Sequence, residues 1–226
     1  MRRSRWCAQT AAASGRGARV RRCSRATWRR ERSGSFTDIT EARGQRERLS
    51  WTATHDPLTD LVNRRAFEAR LTEQLRERRR EGACALFIDL DHFKAVNDSA
   101  GHAAGDALLK DIAAVLAQRV RASDTVARLG GDEFAVLLRG CDRAAASRIA
   151  EQMRAAVARY RLDWNGLRLQ VGASIGLVQI DDSLHDVAAV MAAADAACSA
   201  AKRAGRNSVQ SHAPAPLKLV GRNSRF

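Results

Sequence analysis

Two short acidic stretches carry the groups in this 226-residue chain best suited to chemistry. The first is Ile88-Asp89-Leu90-Asp91, at the end of the apolar run 83–90. Side chains in a strand alternate with a period of two, so Asp89 and Asp91 are expected on one face. Two carboxylates at the tip of a buried strand are costly unless a cation neutralises them, and hard oxygen ligands suit Mg²⁺. The plainer alternative is that Asp91 caps a helix beginning at His92-Phe93-Lys94. The second stretch is Gly130-Gly131-Asp132-Glu133. Its glycines let backbone approach a phosphate closely, and its acids can ligate metal or act as a base. An ordinary Gly-Gly-Asp turn is the alternative there. Taken together, the two sets suggest a metal site bridging a strand end and a neighbouring hairpin. Such a site serves phosphoryl transfer, in which metal polarises nucleotide phosphates and a 3′-hydroxyl.

The elements that must position these groups are legible from periodicity. Asp56-Pro57 predicts a helix start, with Asp56 as N-cap and Pro57 in the first turn. A longer helix is expected from about Arg64 to Arg80, with Phe67, Leu71 and Leu75 on one face. The run 83–90 reads as a central buried strand. A helix follows over 105–120, carrying Leu108, Ile112, Val115 and Leu116 inward. Residues 125–129 and 134–138 read as two strands joined by the glycine turn. Helices are expected at 143–160 and 185–204, with a strand at 167–179 between them and a short strand near Ser208. The fold class that results is α/β in the sense of an α+β sandwich: a central five-stranded mixed sheet flanked by helices, of nucleotide-cyclase or ferredoxin-like type.

Charge divides the chain. The formal net charge is +14, which at first suggests a nucleic-acid binder. Residues 1–35 hold eleven Arg and one acid, a net of +10, and the remaining chain holds only +4. Nucleic acid is therefore not expected as a partner of the main body. The segment 1–35 reads as disordered, a transit-like or binding arm, or residues ahead of the true start. Five cysteines are odd in number and show no CxxC spacing, so buried free thiols in a reducing cytosol are expected. No run approaches the length of a spanning helix, so no membrane partner and a cytoplasmic location are expected.

The motifs together resemble one family. Arg128-Leu129-Gly130-Gly131-Asp132-Glu133-Phe134 is similar to the signature of the GGDEF-domain diguanylate cyclases. Around it stand Asp56-Pro57-Leu58-Thr59, Asn63-Arg64-Arg65, Asp89–Lys94, Asn97-Asp98, Gly101-His102, Gly105-Asp106, Ser174-Ile175-Gly176, Lys202 and Gly205-Arg206-Asn207. The resemblance covers about residues 52–210. It implies condensation of two GTP into cyclic di-GMP and two pyrophosphates, with Mg²⁺ or Mn²⁺, by a homodimer. It further implies that Asp89, the Leu90 carbonyl and Asp132 bind metal. Glu133, or Asp132 itself, would assist the 3′-hydroxyl or hold a second metal. Asn97 and Asp106 would read guanine. Lys94, Lys202 and Arg206 would meet phosphates, with His102, Gly130 and Gly131 completing the substrate site. The i, i+4 spacing of Lys202 and Arg206 near a helix end would put both cations on one side; the alternative is complementing the helix dipole. Arg121 and Asp124 match an RxxD inhibitory site for cyclic di-GMP. Residues 36–54 resemble the end of a PAS sensor and a signalling helix, 55–212 the cyclase domain, and 213–226 a tail.

Two departures stand out. Asp60 replaces the usual glycine after Leu-Thr, and Asp tolerates left-handed backbone better than most residues. Ala197-Cys198-Ser199 replaces Ala-Leu-Tyr, and such large-to-small changes cost roughly 2–5 kcal/mol each unless the site collapses. The competing readings are a catalytically weak or inactive cyclic di-GMP receptor and a nucleic-acid binder acting through the Arg-rich arm.

Overall fold

The computed structural model describes residues 51–77 and 82–212. The readings for 1–35, for most of 36–54 and for 213–226 lie outside the described residues, as do Cys7, Cys23 and residues 78–80 of the expected long helix.

The described elements alternate as the periodicity requires. Strand β1 (Val62–Asn63) leads into α1 (Arg64–Glu77), then β2 (Ala83–Asp91), α2 (Phe93–Ala100) and α3 (His102–Ala117). There follow β3 (Thr125–Gly130), β4 (Glu133–Arg139), α4 (Arg143–Arg159), β5 (Leu162–Trp164), β6 (Leu167–Leu169), β7 (Gly172–Ile180), α5 (Val187–Arg203) and β8 (Val209–Ser211). The main sheet is mixed, in the order β1-β3-β4-β2-β7-β8, with β2 antiparallel to both neighbours. It has six strands, against five expected: β8 is the short strand expected near Ser208, and the addition is the two-residue edge strand β1.

Alternation along β2 feeds two apolar layers. Cys84, Leu86, Ile88 and Leu90 join Leu108, Ile112 and Leu116 of α3 and Met153 of α4. Ala85 turns to the other face, where Ala127, Ala135 and Leu137 meet Phe67 and Leu71 of α1 and Val190 of α5. Buried on both faces, β2 is apolar throughout until Asp89, as its sequence foretold. The same alternation carries Asp89 to the α1 and α5 face.

Three expectations need correction. The strand expected over 167–179 is two strands: β6 turns back on β5 through Asn165 (φ 47°) and Gly166 (φ 81°), a two-residue hairpin that the Asn-Gly pair favours. The helix expected at Asp56-Pro57 is a turn. Thr59 donates to Asp56 Oδ1 from its backbone nitrogen (2.9 Å) and its hydroxyl (2.7 Å), and Asp60 at φ 57° leaves helical space before a second turn forms. The departure at Asp60 thus occupies the left-handed backbone that was inferred for it. Third, α5 ends at Arg203, so Arg206 is not on the helix and the i, i+4 argument pairing it with Lys202 fails.

The departure at 197–199 sits where α5 lies closest to the sheet. A Cβ on Gly176 would stand 2.3 Å from the Ala194 carbonyl oxygen and 2.4 Å from the Cys198 nitrogen. Backbone meets backbone there, and the buried Cys198 thiol donates to the Ser174 carbonyl at 3.3 Å. Burial, with the Asp89 charge adding, pushes that thiol up to about 12. Cys84 and Cys141 are also free and buried, as expected.

Candidate active site

The two acidic stretches meet because of strand register. β2 and β4 are antiparallel with Asp89 opposite Glu133, and the Leu90 N–H donates to the Asp132 carbonyl at 3.2 Å. The strand end and the hairpin turn are therefore tied directly. Gly130 (φ 147°) and Gly131 (φ 50°) make the turn, and a Cβ on either would meet nothing within 4 Å. Their backbone faces open space that a ligand can enter.

Arg128 sets the pose of the turn. Its Nε and Nη2 donate to the Gly131 carbonyl at 3.0 and 2.8 Å, while Nη1 donates to Asp56 Oδ1 and Oδ2 at 3.0 and 3.2 Å. Burial pushes the Asp56 carboxyl up, but the hydrogen bonds from Thr59 and Arg128 outweigh it and hold it below the usual carboxylate range. Arg64 adds a bond from Nε to the Leu129 carbonyl (3.3 Å) and a half-exposed ion pair with Glu133 at 3.7 Å. Sequence reasoning quoted Asp56, Arg64 and Arg128 as motif members without seeing this work. The signal was there: acids and cations of opposite sign repeated in one set of motifs.

Asp89 is mostly buried and accepts from Lys202 Nζ at 2.6 Å. Burial raises the Asp89 carboxyl, Lys202 pulls it back, and the charges of Asp132 and Asp91 raise it further. Lys202 shows the opposing balance: burial lowers it, and the Asp89 bond lifts it above its ordinary value. Among the described residues no three His, Cys, Asp or Glu side chains gather closely enough to hold a metal by themselves. The donors that fit a hard divalent cation are two carboxylates close enough to repel, Asp89 and Asp132, with backbone carbonyls beside them.

Asp91, whose charge also reaches Asp89, is engaged by other partners. It is 4% exposed, accepts from Ser174 Oγ at 2.7 Å through Oδ1, and from the Asn207 N–H at 2.8 Å through Oδ2. It does not cap α2, whose N-cap is His92 in left-handed backbone with no side-chain bond. The cap reading drawn from the sequence is corrected, and the partners that engage Asp91 lie 83 and 116 positions away.

The other expected groups lie on α2 and α3, in the turn after α5, and before β3. Lys94 is exposed in the first turn of α2, and His102 and Asp106 are exposed near the start of α3. Asn97 is half-buried, and a Cβ on Gly105 would stand 2.0 Å from its Oδ1. The Asn97 amide thus rests on the α3 backbone directly beside Asp106. Arg206 is exposed in a turn after α5. Arg121 and Asp124 lie at the far end of β3 from the glycine turn; Asp124 accepts from the Arg121 N–H (3.0 Å) and the Arg139 N–H (3.1 Å). They are not brought to the acidic cluster.

The family model described as diguanylate cyclase, GGDEF domain, matches residues 53–208. The chain is 48% identical over 179 residues to a probable diguanylate cyclase, DgcE, of Escherichia coli, covering 78% of this chain and 16% of that protein. It is 41% identical over 160 residues to the diguanylate cyclase DgcP of Pseudomonas aeruginosa, covering 70% of this chain and 24% of the relative. The chain therefore spans a quarter or less of the length of these two relatives. Among solved structures, the coiled coil and GGDEF domain of DgcB from Caulobacter crescentus, in complex with c-di-GMP, superposes with a TM-score of 0.71 at 30% identity, covering 77% of this chain and 93% of that one. A GGDEF-only form of TpbB from P. aeruginosa gives 0.67 at 42% identity, covering 70% and 94%. No described helix is long and apolar enough to cross a membrane.

Proposed function

Since the chain belongs to the GGDEF family of diguanylate cyclases, we propose that it condenses two GTP into cyclic di-GMP and two pyrophosphates. The observation that carries this reading is the register that sets Asp89 opposite Glu133 and ties Leu90 to Asp132. It gathers carboxylates beside an open glycine turn, where a triphosphate can approach.

In each half-reaction the 3′-oxygen of one GTP attacks the α-phosphorus of the other. A phosphodiester bond forms, the α–β phosphoanhydride bond breaks, and pyrophosphate leaves. The proton of the 3′-hydroxyl passes to a carboxylate, Asp132 or Glu133. Each subunit holds one GTP, so two subunits face each other as a symmetric homodimer and each nucleotide is attacked once. Asp89, the Leu90 carbonyl and Asp132, with Glu133 for a second ion, would hold Mg²⁺ or Mn²⁺. Such an ion, when bound, neutralises the triphosphate and lowers the cost of charge developing on it. Asn97 and Asp106 read guanine: a carboxylate accepts from N1–H and N2–H₂, while an amide pairs with the purine edge. Lys94, Lys202 and Arg206 bind phosphates, Lys202 giving up its bond to Asp89 for one to a phosphate oxygen. His102, Gly130 and Gly131 line the substrate site. Arg121 and Asp124 bind cyclic di-GMP and restrain the enzyme.

The test is the full chain incubated with GTP and Mg²⁺, with products identified by mass spectrometry and oligomeric state measured alongside. Cyclic di-GMP is expected from the native chain and not from Asp132→Ala. Product binding without turnover would instead identify a receptor acting through Arg121 and Asp124.

A further inference from the structure

The turn that carries Arg206 is unusual in its backbone. Gly205, Arg206 and Asn207 have φ of 111°, 63° and 41°, three left-handed residues in succession. Glycine accepts this freely and Asn tolerates it; Arg does not favour it. Such a run persists only where its surroundings fix it. On one side packing does none of this, since a cavity of about 310 Å³ lies between the turn and His92, Gln170 and Val171.

Hydrogen bonds do the fixing. The Arg206 N–H and the Ser208 hydroxyl both donate to the Ala201 carbonyl, at 3.1 and 3.2 Å, and Arg154 Nη1 donates to Asn207 Oδ1 at 3.1 Å. The buried member is Asp91, which accepts the Asn207 N–H while the Ser174 hydroxyl, 0% exposed, holds its other oxygen. Gly172 makes the fit: a Cβ there would stand 2.9 Å from Asp91 Oδ2 and 3.2 Å from the Asn207 Cβ. The chain from β7 through Ser174 and Asp91 to Asn207 thus ends one residue from Arg206.

We propose that Asp91 is a positioning residue for Arg206: anchored by Ser174, it holds the Gly205–Asn207 turn and so fixes where the Arg206 guanidinium meets the nucleotide phosphates. This rests on the reading of Arg206 as a phosphate ligand. In this role Asp91 acts through the turn backbone, each of its oxygens accepting one hydrogen bond from Ser174 or Asn207.

A cycle of variants of the full chain tests it, read by GTP affinity in calorimetry with Ca²⁺ in place of Mg²⁺, and by amide hydrogen exchange. Asp91→Ala should weaken GTP about as much as Arg206→Ala, roughly tenfold or more for a lost charge-assisted bond. The double variant should be no weaker than Arg206→Ala alone. Asp91→Asn, which keeps a hydrogen-bonding group toward Asn207, should retain most of the affinity, and exchange at Asn207 should quicken only in Asp91→Ala. Multiplying losses in the double variant would overturn the proposal. So would an Asp91→Asn variant as weak as Asp91→Ala with a raised metal requirement, which is the behaviour of a metal ligand. Should Asp91→Ala fail to fold, Gly172→Ala presses on the same carboxylate without removing it. Weakened GTP binding there, with no further loss on adding Arg206→Ala, supports the proposal; native affinity overturns it. A native chain that binds no GTP refutes the proposed function, while unchanged Asn207 exchange in the Asp91 variant refutes this inference separately.

Discussion

Replacing Gly105 by Ala should cost nucleotide recognition and leave the fold intact. In most helices the change is favourable, since Ala exceeds Gly in helix propensity by about 1 kcal/mol. Here the new methyl would stand 2.0 Å from Asn97 Oδ1, 3.0 Å from its Cγ and 3.1 Å from Phe93 Cζ. The phenyl edge can yield by a few tenths of an ångström, but the amide must swing away altogether. The gain in propensity and the local crowding nearly offset each other, so the melting temperature should stay within about 4 °C of native for a domain this size. If Asn97 pairs with the purine edge, its displacement leaves polar groups of the base unmatched. That loss is about 1–3 kcal/mol, or roughly 5- to 150-fold in affinity. Steady-state kinetics with GTP should therefore show KM raised by that factor, with kcat at saturating GTP changed little. An Asn97→Ala chain should show a similar rise, and adding Gly105→Ala to it should do nothing more. A folded Gly105→Ala chain with native KM would refute the placement of Asn97 on guanine.

Three further outcomes follow from described contacts. Asp56 has a carboxyl held below its usual value, so its contribution to stability is full above the unfolded value near 3.8 and is lost as pH falls through the lower folded value. Thermal melts from pH 6 down to pH 2 should lose less stability in Asp56→Asn than in native chain; parallel curves would contradict the assignment. Arg128→Lys removes the fork that grips Gly131 and Asp56 together, and an ammonium cannot reproduce it. Cyclic di-GMP production should fall about tenfold or more, the equivalent of roughly 1.4 kcal/mol, while circular dichroism stays native; an unaffected rate would show that the turn holds its own shape. Gly176→Ala drives a methyl into the α5 backbone at 2.3 Å, and overpacking of about 1–3 kcal/mol should lower the melting temperature by roughly 2–12 °C. A native melting temperature would mean that α5 can retreat at no cost.

The sequence showed the large elements because they are driven by burial. Phe67 and Leu71, or Leu108, Ile112 and Leu116, recur at helical spacing and do face the core. The apolar run of β2 belongs to a strand covered on both sides. The acidic cluster was legible for a related reason: carboxylates at the end of such a strand need partners. What escaped were features decided by contacts between distant positions. Asp91 could be read as a ligand or a cap from local spacing, and only the folded chain brings it Ser174 and Asn207. Lys202 and Arg206 looked like one helical face until the helix ended between them. The Asn165-Gly166 hairpin is a different case. Its turn residues were plain in the sequence, but the apolar pattern after it read as one long strand.

The close approach of α5 to β7 at Gly176 also constrains how this chain can change over generations. The backbone of positions 194, 197 and 198 lies against Gly176, so the seat of the helix depends on the absence of a side chain there. A bulkier residue at 176 would demand that the helix first move outward, carrying Lys202 away from Asp89. The order of substitutions therefore matters: a side chain gained at 176 before the helix has moved gives a chain with a displaced lysine. A packing detail one strand away from the glycine turn thereby limits which descendants can keep the acidic cluster in working order.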